Sequence, residues 1–257
     1  MPDYSEKWVI TNPPFLAKNK ATDKRYFSAS KYNDLYKIAL STIIGCKGGI
    51  IIVPLNFLTD EDSRDIRETF LSKYIIDKVN IFTVPVFKTT SYSVCALAFH
   101  LEENNEQNIL VRILPNDIEF EYNANKQYGY RMAGEFFEEV DKEQSIYGRL
   151  TENTTDYITK MKLYALDTRT EKIRIEYDET PYVGKVSDRT YLTFTTRKNL
   201  TDEQQKQLID EFNRRLNKER EKYHNLILTN YRDWNRKRIG FTFAYKLLSM
   251  ITRELKF

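Results

Sequence analysis

Glycine is scarce in this chain of 257 residues, and its eight copies never fall as Gly-x-Gly. The only cluster runs from Gly45 to Gly49. A glycine loop that lets the backbone close on a bound cofactor therefore has no other candidate. Cysteine occurs twice, as Cys46 and Cys95, each in an apolar stretch. That setting reads as buried reduced thiols and not as a disulfide or a nucleophile. The two histidines, His100 and His224, stand far apart, so no metal site is expected. No apolar run approaches the ~20 residues of a membrane span, and no signal peptide is recognisable. The expectation is a protein of the cell interior, cytoplasmic or at the nucleoid, not secreted and not membrane-bound. Charged residues at 30% and hydrophobic ones at 41% suit a globular chain of one large or two modest domains.

What is present begins with Trp8-Val9-Ile10-Thr11-Asn12-Pro13-Pro14-Phe15, an apolar strand running straight into Asn-Pro-Pro-Phe. Proline fixes φ and removes a donor, and Pro13 biases Asn12 towards an extended backbone. The result is a stiff turn that presents carbonyl oxygens without competing N–H groups. The Asn12 side-chain oxygen and the Pro13 carbonyl can both accept from one amino group, and Phe15 offers a flat face to the ring that carries it. Such a site suits methylation of a planar amine, above all N6 of adenine. A base inside a duplex must be flipped out to reach it. A strand-to-loop turn without chemistry gives the same tetrapeptide.

Three later segments succeed it in order. They are Asn33-Asp34-Leu35-Tyr36-Lys37-Ile38-Ala39-Leu40, then Gly48-Gly49-Ile50-Ile51-Ile52-Val53-Pro54-Leu55-Asn56-Phe57-Leu58, then Val86-Phe87 through Ala98-Phe99. Together with Asn12–Phe15 they make residues 8–101 resemble the catalytic half of an adenine-N6 DNA methyltransferase, the amino-group class with Asn-Pro-Pro-Phe or Tyr. The resemblance implies that Asn12, Pro13, Pro14 and Phe15 are catalytic. It also implies that Phe87 lies on the other face of the flipped base, with Tyr92 a second substrate-binding candidate. Both are also readable as ordinary hairpin side chains, Tyr92 the more so.

The residues support the same fold class independently: α/β, a partial Rossmann-like sheet followed by a mixed module with C-terminal helices. Residues 49–54 form a continuous apolar run bounded by Gly and Pro, which predicts a strand buried on both faces. Leu35, Ile38, Ala39, Thr42 and Ile43 space as one helix face. Thr59-Asp60-Glu61-Asp62 before Ile66, Phe70 and Leu71 predicts a helix start, and 75–84 and 93–101 predict further strands. The polar stretch 102–108 predicts a boundary, giving a catalytic half at 1–103 and a target-recognition region at 104–257.

Members of the resembled class bind S-adenosylmethionine with a Gly-rich turn that precedes Asn-Pro-Pro-Phe. Only eleven residues precede Asn12 here, and no such turn is found. This predicts a chain inactive without a partner that supplies the cofactor half. The edge of the Trp8–Thr11 strand should then be unpaired and apolar, which invites pairing with another chain.

In the second half, residues 109–122 predict strands around Pro115-Asn116-Asp117, and 146–195 alternate as in a β-rich module. Thr201-Asp202-Glu203-Gln204 is a capping box. It opens a helix with Leu208, Ile209, Phe212 and Leu216 on one face, and a last amphipathic helix runs from Phe243 to Leu255. Residues 196–257 carry fifteen Lys/Arg against eight Asp/Glu, a net +7, which leaves −4 for residues 1–195. Arg197, Lys198, Arg232, Trp234, Arg236, Lys237 and Arg238 are the candidate nucleic-acid contacts. The helix charges also read as a solvated face laced with i,i+4 pairs.

The leading expectation is S-adenosylmethionine-dependent methylation of adenine N6 at a specific sequence in double-stranded DNA, in a restriction–modification or phage context. An RNA or protein-glutamine methyltransferase remains open, because an amide –NH2 is planar too. So does a non-enzymatic specificity subunit or inactive DNA-binding remnant.

Overall fold

The computed structural model describes residues 3–88, 93–185, 187–230 and 236–257. Tyr92, Arg232 and Trp234 lie outside the described residues. The described residues divide into two compact units, the first within 3–134, the second within 135–230 and 236–257.

In the first unit, β1 (Trp8–Thr11) leads through a long loop to α1 (Leu35–Thr42) and returns as β2 (Gly48–Pro54). A short turn α2 (Asn56–Thr59), α3 (Arg64–Leu71), β3 (Tyr74–Phe82), β4 (Val94–Leu101), β5 (Glu106–Leu114) and β6 (Ile118–Asn125) come next. The six strands lie in the order β1-β2-β4-β3-β5-β6. β1 pairs parallel with β2 and β3 parallel with β5, while β4 runs antiparallel between β2 and β3. Of the stretch 102–108, expected to separate domains, residues 102–105 instead connect β4 to β5 and 106–108 already belong to β5, all inside this one sheet, and the division falls at 134/135. The polar Gln107 is buried, bonding the Ile76 amide and the Tyr74 carbonyl, so the polarity of the stretch marks a strand start and not a boundary.

One face of the sheet forms the core. Ile51, Val53, Leu97, Phe99, Val79, Ile81 and Val111 are buried there. The helix α3 packs on this face through Phe70, whose ring lies 5.0 Å from Phe99 and 4.6 Å from Tyr74. The opposite face of β1 and β2 is open. Ile10 is 86% exposed, Trp8 68% and Ile50 46%. Ile10, Ile50 and Ala98 are register neighbours across three strands, with Ile52 and Ala96 beside them. The run 49–54 is thus fully buried on one face, while on the other Ile50 is exposed, Ile52 half-buried and Pro54 buried. Its side chains are apolar on both faces, but the second is only partly covered.

The helix α1 also differs from expectation. Tyr36, Lys37 and Leu40 are its buried residues, and Leu35, Ile38 and Ala39 are only half-buried. Two polar side chains find partners inside, which the apolar spacing does not reveal. Asp34 caps this helix by accepting from the Tyr36 amide at 3.3 Å. The acidic run before α3 forms a 3-10 turn, Glu61–Ser63, and the α-helix starts at Arg64.

The second unit opens near α4 (Gly134–Asp141) and contains β7 (Tyr147–Arg149), β8 (Tyr157–Tyr164), β9 (Arg174–Tyr177) and β10 (Tyr191–Thr196). These form an antiparallel sheet in the order β7-β10-β8-β9. The long helix α5 (Asp202–Lys222), the hairpin β11 (Thr229–Asn230) and β12 (Lys237–Arg238), and α6 (Phe241–Glu254) complete it. The Thr201 capping box is present with both hydrogen bonds, and Leu208, Phe212 and Leu216 are buried as their spacing predicts. Leu247, Leu248 and Ile251 anchor α6.

Gly48 and Gly49 allow β1 to approach. A Cβ on Gly49 would sit 1.9 Å from the Val9 carbonyl oxygen, and one on Gly48 would sit 2.5 Å from that of Phe99. Gly49→Ala is therefore expected to lower the unfolding free energy by at least about 1–3 kcal/mol. Ile10→Ser, at a solvent-facing position of the same ladder, should shift it by less than about 0.5 kcal/mol. Urea denaturation of the two variants checks both.

Candidate active site

Thr11 is the last paired residue of β1, so Asn12 is the first residue beyond the ladder. In open α/β sheets this is where ligands bind, outside the carboxyl ends of the strands. Asn12 is exposed, Pro13 is buried and anchors the turn, and Phe15 is half-buried. The chain after the motif is tied to the start of α1. Leu35 N–H donates to the Leu16 carbonyl at 3.1 Å and Lys18 N–H to that of Asn33 at 2.8 Å. The motif is thus held at both ends, by β1 before it and by this neck after it.

Phe15 and Phe87, predicted to share a substrate, are brought together from positions far apart in sequence. Their ring centroids are 6.4 Å apart at an interplanar angle of 67°. A base held between two rings needs them parallel and about 7 Å apart, two contacts of ~3.5 Å. The rings here touch edge to face, so Phe87 must turn for a base to enter between them.

Beside Phe15 lies a cavity of about 140 Å³, bordered by Lys20, Asp34, Lys37, Asn56, Asp60 and Asp62 among others. None of these was singled out as a site residue from sequence. Lys37 is buried, with only 4% of its side chain exposed. Its Nζ donates to Asn33 Oδ1 at 3.0 Å, and to the carbonyl and Oδ2 of Asp62 at 2.6 Å each. A lysine on an otherwise helical face reads as a solvated residue, so nothing in the sequence marked it. The hydrogen bond from Lys37 holds the Asp62 carboxyl below the usual aspartate range, against partial burial. Burial pushes the Asp34 carboxyl up, opposed by the Tyr36 amide and the charge of Lys37. Burial also pushes up the phenol of Tyr36, which hydrogen-bonds Ser63 Oγ at 2.9 Å.

The wall carrying Asn56 and Asp60 is braced from behind by Arg67, a fully buried residue. Its guanidinium donates to the carbonyls of Phe57 at 3.0 Å, Asp60 at 2.8 Å and Gly129 at 2.6 Å. Burial lowers its pKa to about 10, which leaves it cationic at neutral pH.

The residues do not fit a complete cofactor site. Within the one glycine cluster, Gly48 and Gly49 are consumed by strand packing against the carbonyls of Phe99 and Val9, and the Gly45 amide already donates to the Tyr74 hydroxyl at 2.8 Å. The turn after β1 is Asn-Pro-Pro and offers no amide cradle. Among the described residues no group of three His, Cys, Asp or Glu is arranged to hold a metal, and no helix is long and apolar enough to cross a membrane. Cys46 and Cys95 are buried free thiols.

Of the candidate nucleic-acid contacts, Arg197 and Lys198 are exposed, and the Lys198 ammonium donates to the Phe257 carbonyl. Arg236 and Arg238 are half-buried. Lys237 must be withdrawn. It is 0% exposed, beside Arg220 and Asp167, and burial lowers its pKa to about 7. A phosphate cannot reach it there. Arg220 is likewise buried, paired with Asp167 at 2.6 Å, and Arg214 and Arg215 both bind Glu211 at 2.6 Å. These cations of α5 thus make ion pairs within the second unit.

No protein-family model matches the sequence, and no curated protein does. Among solved structures, a modification subunit assigned to a type I restriction enzyme from Vibrio vulnificus YJ016 is similar at 13% identity and TM-score 0.37, over 48% of this chain and 35% of that one. The M protein of the type I restriction enzyme EcoKI is similar at 16% identity and TM-score 0.33, over 42% and 26%. The type IIL restriction-modification enzyme MmeI in complex with DNA is similar at 16% and 0.35, over 63% and 24%. The chain spans between about a quarter and about a third of the length of these proteins.

The Lys37–Asp62 pair has a signed pH dependence. Asp62 has a folded pKa below its unfolded value, so its contribution is present above the unfolded pKa and is lost as pH falls through the folded one. Melting temperatures between neutrality and about pH 3 should show a smaller acid-induced drop in Lys37→Met than in the native protein.

Proposed function

We propose that this chain is the catalytic and target-recognition part of an adenine-N6 DNA methyltransferase of the restriction–modification type. The observation that carries the reading is Asn12-Pro13-Pro14-Phe15 at the carboxyl end of β1 with the Phe87 ring against Phe15. In this reading Asn12 Oδ1 and the Pro13 carbonyl accept from the two N–H bonds of a flipped adenine amine. They favour the positive charge that nitrogen develops as it takes up a methyl group. Pro14 stiffens the turn, and Phe15 and Phe87 hold the ring. The exposed Arg197 and Lys198, with Arg236 and Arg238, are retained as candidate DNA contacts on the second unit. Arg232, Trp234 and Tyr92 are retained on sequence grounds alone.

S-adenosylmethionine would supply the methyl group, and the residues of this chain do not make its pocket. A complementary half is therefore part of the proposal, whether it belongs to the same polypeptide or to a second chain. Two features support it. Among the described residues β1 pairs only with β2, and Ile10 and Ile50 on the adjoining face are exposed. A parallel strand added beyond β1 needs a crossover helix, and right-handed crossovers place helices on opposite faces on either side of a reversal in strand order. The helices of such a half would fall on the open face. The reversal would then lie beside β1, where α/β sheets bind their ligands.

With the cofactor half added and tritiated S-adenosylmethionine as donor, Asn12→Ala is expected to lose ~10²–10³ in rate with duplex affinity nearly unchanged. Turnover near that of the native protein would remove the role given to Asn12. Parallel assays on RNA and on a glutamine peptide decide the substrate class. Tight binding of S-adenosylmethionine by the chain alone would remove the need for the complementary half.

A further inference from the structure

The loop between Asn12–Phe15 and α1 was given no role from the sequence, and the structure makes it a discrete element. Its two ends are clasped. Ala17 and Asp34 form a bridge, and the amides of Lys18 and Leu35 bond across the neck. Residues 18–33 are thereby a compact loop with adjacent ends, of the Ω kind. Phe27 and Ala21 are buried and pin it to the first unit, and a 3-10 turn, Arg25–Phe27, shapes its middle. It is not a slack connection.

Between Leu16 and Asn33 the loop carries Lys18, Lys20, Lys24, Arg25 and Lys31 against Asp23 alone. That net +4 sits within residues 1–195, which sum to −4. All five cations are exposed, and Tyr26 stands exposed among them. Arg25 pairs with Asp23 and Lys31 with Asp65, at 2.7 Å each, which makes Lys18 and Lys24 the loop's leading candidates for an external anion. The loop also borders the cavity beside Phe15 directly, through Ala17 and Lys20.

The cavity has the opposite sign. Asp34, Asp60 and Asp62 border it, and the one buried cation, Lys37, is already bound to Asp62. A phosphate is repelled from such a floor and drawn to such a rim, whereas a neutral base with an amino donor is tolerated inside. Acid within and base around it is the charge pattern that suits a nucleotide entering base first.

We infer that the loop 18–33 is the backbone grip for DNA at the active site, with Lys18 and Lys24 contacting the phosphates that flank the flipped base. The inference rests on the DNA reading above and adds to it the surface by which the duplex is held. It places an electrostatic contact on the catalytic unit, next to the cavity, in addition to the candidates Arg197, Lys198, Arg236 and Arg238 of the second unit.

Counterion release tests it. Binding of the full chain to a short fluorescein-labelled DNA duplex is followed by anisotropy across a salt series. Each phosphate contact contributes about 0.9 to the slope of log K against log salt. Lys18→Gln with Lys24→Gln should flatten the slope by about two units, and Lys24→Gln alone by about one. Lys73→Gln with Lys126→Gln, at the opposite end of the sheet, should leave it unchanged. Melting temperatures within about 1 °C of the native protein are the expected check that these exposed substitutions leave the fold intact. An unchanged slope in the loop variant, or an equal change in the control, overturns the inference. So does failure of the native chain to bind duplex at all. The amine-methylating role of Asn12 is read separately by methyl transfer, so loss of one conclusion is distinguishable from loss of the other.

Discussion

The candidate site depends on one short parallel ladder, four residues of β1 against β2. Two glycines make that ladder possible, because any Cβ at Gly48 or Gly49 would collide with a neighbouring carbonyl. The ladder holds Val9 on the core face, and so places Asn12 at the carboxyl edge of the sheet. Asn12, Pro13 and Phe15 have no regular secondary structure of their own. Their position is inherited from β1 on one side and from the Leu16–Leu35 clasp on the other.

Charge is sorted by depth around this point. The buried cations Lys37 and Arg67 serve the walls, one tied to Asp62 and the other to three backbone carbonyls. Removing a buried charge from water is costly unless hydrogen bonds replace the solvent. Lys37 obtains three, and Arg67 obtains them at Nε and Nη1 but not at Nη2. The unpaired balance of acid borders the cavity, and the exposed balance of base lies on the loop beside it. A substrate with an uncharged end that donates hydrogen bonds and an anionic remainder matches both.

The first unit satisfies every local rule of an α/β sheet except coverage. Sheets with parallel strands are ordinarily buried on both faces. Here the β1 and β2 side keeps Trp8, Ile10 and Ile50 in solvent, and among the described residues β1 keeps an unpaired edge. The edge and the open face adjoin, so a single complementary element would cover both.

Much of this was legible in the amino-acid sequence. Asn-Pro-Pro-Phe, the Gly-Gly strand opening, the capping box at Thr201 and the apolar faces of α5 and α6 are local patterns, and local patterns survive into the fold. Cys46 and Cys95 read as buried for the same reason. Four matters were decided only by the tertiary structure. Phe87, expected near the substrate of Phe15, meets that ring edge to face, an angle no sequence pattern gives. Lys37 and Lys237 are buried although lysine in a sequence reads as surface, because their surroundings come from remote segments around Asp62, Asp167 and Arg220. The polar stretch at 102–108 joins two strands of one sheet, because β5 turns back to pair with β3 and so extends the first sheet. The run 49–54 is apolar on both faces, yet its second face grades from exposed at Ile50 to buried at Pro54. A strand's sequence states which faces tolerate burial, while the elements packed around it decide which are buried.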